Sequence, residues 1–121
     1  MQRKIVLCWL ALLFALLPLR GQAHASLVES TPAANSVVVE APPTAQIRYT
    51  EPLDESYSRA ELLNEAGERV STTPSRVDPN DDYVMLLDLP PLPEGRYVIQ
   101  WRALSTADGH TSQGTVSFGI G

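Results

Sequence analysis

Apolar and polar residues alternate along several short segments of this chain, and a two-residue period is typical of half-buried β-strands. The clearest segment is 96–104, where the odd-numbered positions from Tyr97 to Ala103 are apolar and most even-numbered positions are polar. Trp101 lies on the apolar face and is the expected core anchor. Strand-like patterns also cover residues 24–30, 37–39, 45–50, 83–89 and 114–120.

Residues 57–63 and 69–72 predict a hairpin that turns through 64–68. A helix over 59–66 is the competing interpretation, because Ala, Glu and Leu favour helices. The neighbouring segments are strand-like, which favours the strand. The acidic run 78–82 predicts a solvated turn, since it lacks the spaced oxygen ligands of a Ca²⁺ loop.

Proline, glycine and asparagine are concentrated between these segments, as expected of turns. About seven short strands with no long helical stretch predict an all-β fold, either an antiparallel β-sandwich or a barrel.

The N-terminus has the three parts of a secretory signal peptide. A basic start precedes an apolar run from Ile5 to Leu19, and the small residues Gly21 and Ala23 lie three back from and immediately before a cleavage point after Ala23. The apolar run is shorter than the roughly 20 residues of a membrane-spanning helix. We therefore expect residues 1–23 to be removed, which leaves 24–121 as a periplasmic domain that does not span the membrane. Cleavage after Ala25 is the alternative, and it would remove His24.

Removal of residues 1–23 changes the composition of the chain. The remaining 98 residues hold six arginines and 14 acidic residues, a formal net charge of −8, and no cysteine. The acidic balance argues against a nucleic-acid partner. Without cysteine, disulfides and thiolate metal sites are excluded from the processed domain.

The two histidines of the chain occupy distinctive positions. His24 follows the predicted cleavage point, and His110 closes the segment Asp108-Gly109-His110. An N-terminal histidine offers an amine and an imidazole, and a carboxylate and a second imidazole complete a set of nitrogen and oxygen donors that suits Cu(II). If the segment is extended, Asp108 and His110 point the same way. Taken alone, Asp-Gly is a common turn and His110 an ordinary surface residue.

The chain resembles the CopC family of periplasmic copper-resistance and copper-uptake proteins over the whole predicted domain. The resemblance rests on the start at residues 24–33, on 48–52, and above all on 95–105 with Asp108-Gly109-His110 and 114–118. It implies a Greek-key β-sandwich, of immunoglobulin-like or cupredoxin-like type, and a single Cu(II) bound by His24, Asp108 and His110.

Some positions depart from the family pattern. Asn35 stands where many members have glycine, and Thr111 follows the loop histidine where proline is common. The loop before His110 is one residue longer, as in the variety that precedes a CopD-type membrane domain, which makes a CopD-type copper transporter the expected partner. The methionine-rich stretch that some members use for Cu(I) is missing.

The leading functional prediction is a non-enzymatic Cu(II) carrier or buffer with no catalytic residues. The first alternative is a copper-dependent oxidative enzyme of the lytic polysaccharide monooxygenase type, which also begins with a chelating histidine. The second is a metal-free β-sandwich that binds only a protein partner.

Overall fold

The computed structural model describes residues 24–121, and the predicted signal peptide of 1–23 lies outside the described residues. These residues form eight β-strands: Leu27–Thr31 (β1), Ser36–Val38 (β2), Thr44–Tyr49 (β3), Arg59–Asn64 (β4), Arg76–Asp78 (β5), Asp81–Asp88 (β6), Gly95–Leu104 (β7) and Thr111–Ile120 (β8). Between residues 24 and 121 there is no helix long and apolar enough to cross a bilayer.

The strands form two four-stranded sheets in the orders β1-β3-β6-β5 and β2-β8-β7-β4. Every pairing is antiparallel except that of β2 with β8, which is parallel. Most connections pass from one sheet to the other, and the predicted Greek-key β-sandwich is confirmed. The longest ladder joins β7 to β8, from Gly95 opposite Ile120 to Leu104 opposite Thr111.

The core lies between the two sheets and follows the alternation of the sequence. The odd-numbered residues of β7 from Tyr97 to Ala103 are buried, as predicted, and Trp101 is 9% exposed. Its indole meets the Tyr49 ring of the opposite sheet edge to face, with ring centroids 5.0 Å apart. Aromatic pairs of this geometry stabilise the fold beyond the contribution of the area that they bury. Trp101 therefore anchors the core, as the sequence predicted.

Residues 59–64 form a strand, so the competing helix is excluded. The predicted hairpin partner at 69–72 is reduced to a bridge between Leu63 and Arg69 and a hydrogen bond from the Val70 amide to the Leu62 carbonyl. The reason is that serine hydroxyls replace a neighbouring strand: Ser71 Oγ accepts from the Leu62 amide and Ser75 Oγ from the Ala60 amide.

The polar segment before residue 82 contains the short strand β5, which the sequence pattern did not predict. The turn that follows is closed by the Asp78 carboxylate, which accepts from the Asn80 amide. Next to it, Asp81 accepts from the Tyr83 amide and from Arg48 at 2.8 Å. The predicted solvated turn is therefore part of a β-hairpin in which the carboxylates of Asp78 and Asp81 accept hydrogen bonds from protein donors.

Gly114 lies directly opposite Trp101 in the β7–β8 ladder, and the indole ring passes over it. A Cβ atom at this position would sit 2.6 Å from Trp101 Cζ2, closer than any unstrained contact. The absence of a side chain at Gly114 is what allows Trp101 to lie flat against β8 and still reach Tyr49.

We expect Gly114→Ala to lower the free energy of unfolding by about 1–3 kcal/mol, because the added methyl group forces the indole out of its position. The measurement is urea unfolding followed by the fluorescence of Trp101. Gly119→Ala is the matched control on the same strand, since its Cβ would lie 3.4 Å from the end of Val37 and 3.6 Å from the Gly95 carbonyl oxygen, distances of ordinary contact. Equal losses in the two variants would contradict this packing argument.

Two carboxylates of β6 form ion pairs with arginines of neighbouring strands, Asp81 with Arg48 and Asp88 with Arg76. Asp88 accepts from Thr44 Oγ1 at 3.0 Å and lies 3.1 Å from Arg76, and these two donors, Thr44 first, lower the pKa of its carboxyl group. A group whose pKa is lower in the folded protein stabilises the fold above its unfolded pKa, near 3.9. That contribution is lost as the pH falls through the folded value.

We therefore expect Asp88→Asn to be less stable than the wild type at pH 7, and the difference to shrink to nothing as the pH approaches 2. Urea unfolding across pH 2–7 measures the two curves. Glu94→Gln, at an exposed residue of the turn before β7, is the control and should run parallel to the wild type. A constant gap between Asp88→Asn and the wild type would assign its effect to packing instead.

Candidate metal centre

The turn between β7 and β8 is built on Ser105, which is 1% exposed. Its hydroxyl oxygen accepts from the amides of Ala107 and Asp108, at 3.1 and 3.3 Å. Its carbonyl accepts from the Gly109 amide, and its own amide donates to the His110 carbonyl. Gly109 has a φ of +72°, the left-handed conformation that glycine adopts without strain.

The segment Asp108-Gly109-His110 is therefore a tight turn, and the expectation of an extended segment is wrong. The reason is local hydrogen bonding. Asp108 Oδ1 accepts from the His110 backbone amide at 2.9 Å, which folds the chain back on the carboxylate. The turn nevertheless keeps the two side chains on one side, with Asp108 Oδ2 3.5 Å from His110 Nδ1.

The environment of Asp108 favours its ionised form. The hydrogen bond from the His110 amide lowers the pKa of the carboxyl group, and partial burial offsets only some of that effect. Oδ2 is buried and has no hydrogen-bond partner among residues 24–121. A buried carboxylate oxygen that protein donors leave unsatisfied is suited to a cation.

His24 reaches this turn because the segment that follows it is tied to both sheets. Ala25 is fully buried, and its carbonyl accepts from Ser112 Oγ of β8 at 2.5 Å. On the other side, Thr50 Oγ1 accepts from the Ser26 amide at 3.0 Å and donates to the His24 carbonyl at 3.1 Å.

The structure brings the three residues singled out from the sequence together. One potential ligand atom from each of His24, Asp108 and His110 lies within 4.8 Å of the others. The two imidazole rings meet edge to face, with centroids 5.3 Å apart. Within residues 24–121 this is the one group of three or more histidine, cysteine or acidic side chains close enough to share an ion.

The donor set consists of two imidazoles and a carboxylate, which suits first-row divalent ions such as Cu²⁺, Zn²⁺ and Ni²⁺. Sulfur takes no part, because Met85 is buried in the core. His110 is exposed while His24 and Asp108 are half-buried, so an ion bound here would be open to solvent on one side.

Thr50 and Ser112 are the residues of this centre that the sequence did not identify. Each is a small hydroxyl residue in or beside a strand, where such residues are ordinary. Only the pairing of β1 with β3 and the placement of β8 bring both hydroxyl groups to the backbone of residues 24–26.

Comparison with known proteins matches residues 27–121 to the CopC domain model. The chain is 35% identical over 116 residues to the copper transport protein CutJ of Bacillus subtilis, covering 93% of this chain but only 21% of CutJ. It is 36% identical over 104 residues to copper resistance protein C of Xanthomonas campestris pv. juglandis, covering 81% and 80% of the two chains.

Two solved structures are similar to this chain. CopC from Methylosinus trichosporium OB3b superposes with a TM-score of 0.74 at 28% identity, covering 80% of this chain and 93% of that one. PcoC, a methionine-rich copper resistance protein from Escherichia coli, gives 0.65 at 31% identity, covering 82% and 100%. The domain match includes Asp108 and His110 and begins three residues after His24.

We expect Thr50→Val to release the segment that positions His24, because valine keeps the shape of the side chain but removes the hydroxyl group. The Ser26 amide then loses its acceptor, and its hydrogen-exchange rate should rise about fivefold. This factor corresponds to the net free energy of one typical hydrogen bond, about 1 kcal/mol. Nuclear magnetic resonance measures this rate directly. Thr50→Ser retains the hydroxyl and should exchange as the wild type does, and unchanged exchange in Thr50→Val would show that Thr50 does not hold the segment.

Proposed function

The chain belongs to the CopC family, and from that membership we propose that it is a periplasmic copper-binding protein that carries or buffers Cu(II), with one ion per chain. The observation that supports this most strongly is the convergence of His24, Asp108 and His110 at one end of the sandwich. The relatives described above are named for copper transport and copper resistance. Those names favour carriage of the ion over chemistry performed with it.

The proposal requires that the signal peptide is cleaved after Ala23, so that His24 becomes the first residue. Its α-amino group, with a reference pKa near 8, then loses a proton readily to Cu²⁺. The amine and the imidazole of one residue form a chelate. Asp108 supplies an anionic oxygen and His110 a second imidazole, which completes four nitrogen and oxygen donors.

These donors favour Cu(II) over Cu(I). Cu(II) binds most tightly among the divalent first-row ions at nitrogen and oxygen sites, whereas Cu(I) prefers sulfur. Met85, the sole methionine of residues 24–121, is 1% exposed and lies in the core. The bound ion should therefore be released on reduction, and also in acid, because the amine and both imidazoles must be unprotonated to bind.

The position of the centre suits a cargo ion. His110 is exposed at the tip of the β7–β8 turn, so a receiving protein can approach the metal directly. A CopD-type membrane transporter is the expected recipient. In the alternative of an oxidative enzyme, the Asp108 carboxylate would occupy a coordination position that oxygen activation needs open, so we place carriage first.

The decisive experiment is a Cu(II) titration of the chain that begins at His24, beside the same chain with Ala23 retained in front of it. We expect one tightly bound ion in the first. The second should bind Cu(II) more weakly, because the extra residue converts the amine of His24 to an amide. The loss of affinity should exceed the roughly 10- to 100-fold that follows removal of an outer-shell partner of a metal ligand. Electron paramagnetic resonance reports the number of nitrogen ligands in each.

His110→Ala and Asp108→Asn should each weaken binding, and Asp82→Asn, at an exposed carboxylate of β6, is the matched control. Equal binding with and without Ala23 would remove the N-terminal chelate from the proposal. Absence of binding in both would favour the metal-free, partner-binding alternative. Peroxide-driven cleavage of chitin or cellulose by the copper-loaded protein would favour the oxidative enzyme.

A further inference from the structure

The outer face of the β2-β8-β7-β4 sheet has a charge opposite to that of the chain as a whole. Its charged residues are three arginines and one carboxylate: Arg59 and Glu61 on β4, and Arg96 and Arg102 on β7. The full chain has a formal net charge of −5. Half of the arginines of residues 24–121 are therefore concentrated on one face of an acidic protein.

Arg59 lies directly opposite Arg102 in the β4–β7 ladder, and both side chains are exposed. Like charges placed directly across a sheet destabilise it. Neither arginine lies within 4.0 Å of a carboxylate among the described residues, and the same is true of Arg96. By contrast, Arg48, Arg69 and Arg76 each have an acidic partner.

This arginine pair borders an open polar groove on the sheet. Arg59, Arg102 and Gln113 lie side by side across β4, β7 and β8 and form one row of outward side chains. The next row consists of Glu61, Gln100 and Thr115. Glu61 is itself 3.7 Å from Arg69. The groove thus presents two guanidinium groups and amide side chains, which together donate hydrogen bonds to carboxylates.

We propose that the groove around Arg59 and Arg102 is a docking surface for an acidic segment of a partner protein, rich in aspartate or glutamate. Two adjacent guanidinium groups can each take a carboxylate in bidentate geometry, which removes the repulsion present in the free protein. Among residues 24–121 this face carries the three arginines without an acidic partner within 4.0 Å, so its charge is complementary to such a segment.

The groove lies at the same end of the sheet as the candidate metal centre. Arg102 is three residues before Ser105, where the turn begins, and Gln113 is three residues after His110. A partner bound in the groove would therefore lie beside the turn that holds Asp108 and His110. This placement assigns the docked segment to a protein that comes to exchange the ion, although docking itself does not require metal.

An anionic membrane surface fits the groove less well. The exposed large apolar side chains of residues 24–121 are Val28, Val37, Val39, Tyr57 and Tyr83, and none of them lines the groove. Glu61 also lies between the arginine row and the rest of the face. A flat anionic bilayer would meet both this carboxylate and the net negative charge of the chain.

The test uses the processed chain without metal and a fluorescein-labelled octapeptide of alternating glutamate and serine, with a glutamine–serine peptide as its control. We expect Arg59→Gln/Arg102→Gln to weaken binding of the acidic peptide at least about fivefold, the scale of losing two exposed charge pairs. Arg48→Gln/Arg76→Gln carries the same net charge with the change on the other sheet, and should bind as the wild type does. Fluorescence anisotropy gives the affinities, and urea midpoints confirm that each variant folds.

Amide chemical-shift changes locate the peptide, and we expect them at Arg59, Gln100, Arg102 and Gln113. Absence of binding would overturn the proposal, as would equal losses in the two double variants or shift changes confined to another face. Vesicles of phosphatidylglycerol and phosphatidylethanolamine test whether the groove binds an anionic membrane surface instead of an acidic peptide. If Arg59→Gln/Arg102→Gln abolishes vesicle binding and leaves the peptide unaffected, the surface binds lipid and the proposal is wrong.

Discussion

The ladder between β7 and β8 is the constraint on which the other features depend. Its register places Gly114 under Trp101, which lets the indole cross to Tyr49 and join the sheets. A slip of one residue would turn every side chain of the slipped strand to the opposite face. It would also move the Ser105–His110 turn away from the segment that begins at His24.

The candidate centre is positioned partly by hydrogen bonds within one turn and partly by contacts between residues far apart in the sequence. The turn from Ser105 to His110 is set by its own hydrogen bonds, and these hold a carboxylate in its ionised form beside an imidazole. The position of His24 depends instead on Thr50, which follows β3 and bonds the His24 carbonyl, and on Ser112 of β8, which bonds the carbonyl of Ala25. The two halves meet only if the whole sandwich is folded, so a change in core packing reaches the centre without touching a ligand.

What the sequence predicted follows from what it encodes directly. Alternation identified the buried face of β7, and the series of short strand-like segments separated by turn residues predicted an all-β fold, because both depend on residues near one another in the chain. Asn35, which stands where many members of the family have glycine, has a left-handed φ of 61°, a conformation that asparagine tolerates in turns. The parallel pairing of β2 with β8, the short strand β5 and the hydroxyl groups that bond the segment beginning at His24 were not predicted. Each depends on residues far apart in sequence, or on a segment too short to show a period.

The arginines of residues 24–121 fall into a group that pairs with carboxylates of the fold and a group that does not. Arg48 and Arg76 form ion pairs with the carboxylates of neighbouring strands, which is expected where charge stabilises a sheet. Arg59 and Arg102 face each other across a ladder, an arrangement that opposes folding. In a chain with an excess of acidic residues, an acid opposite either arginine would remove that cost. The pair is better explained as a feature that a bound anionic partner completes than as a contribution to the free fold.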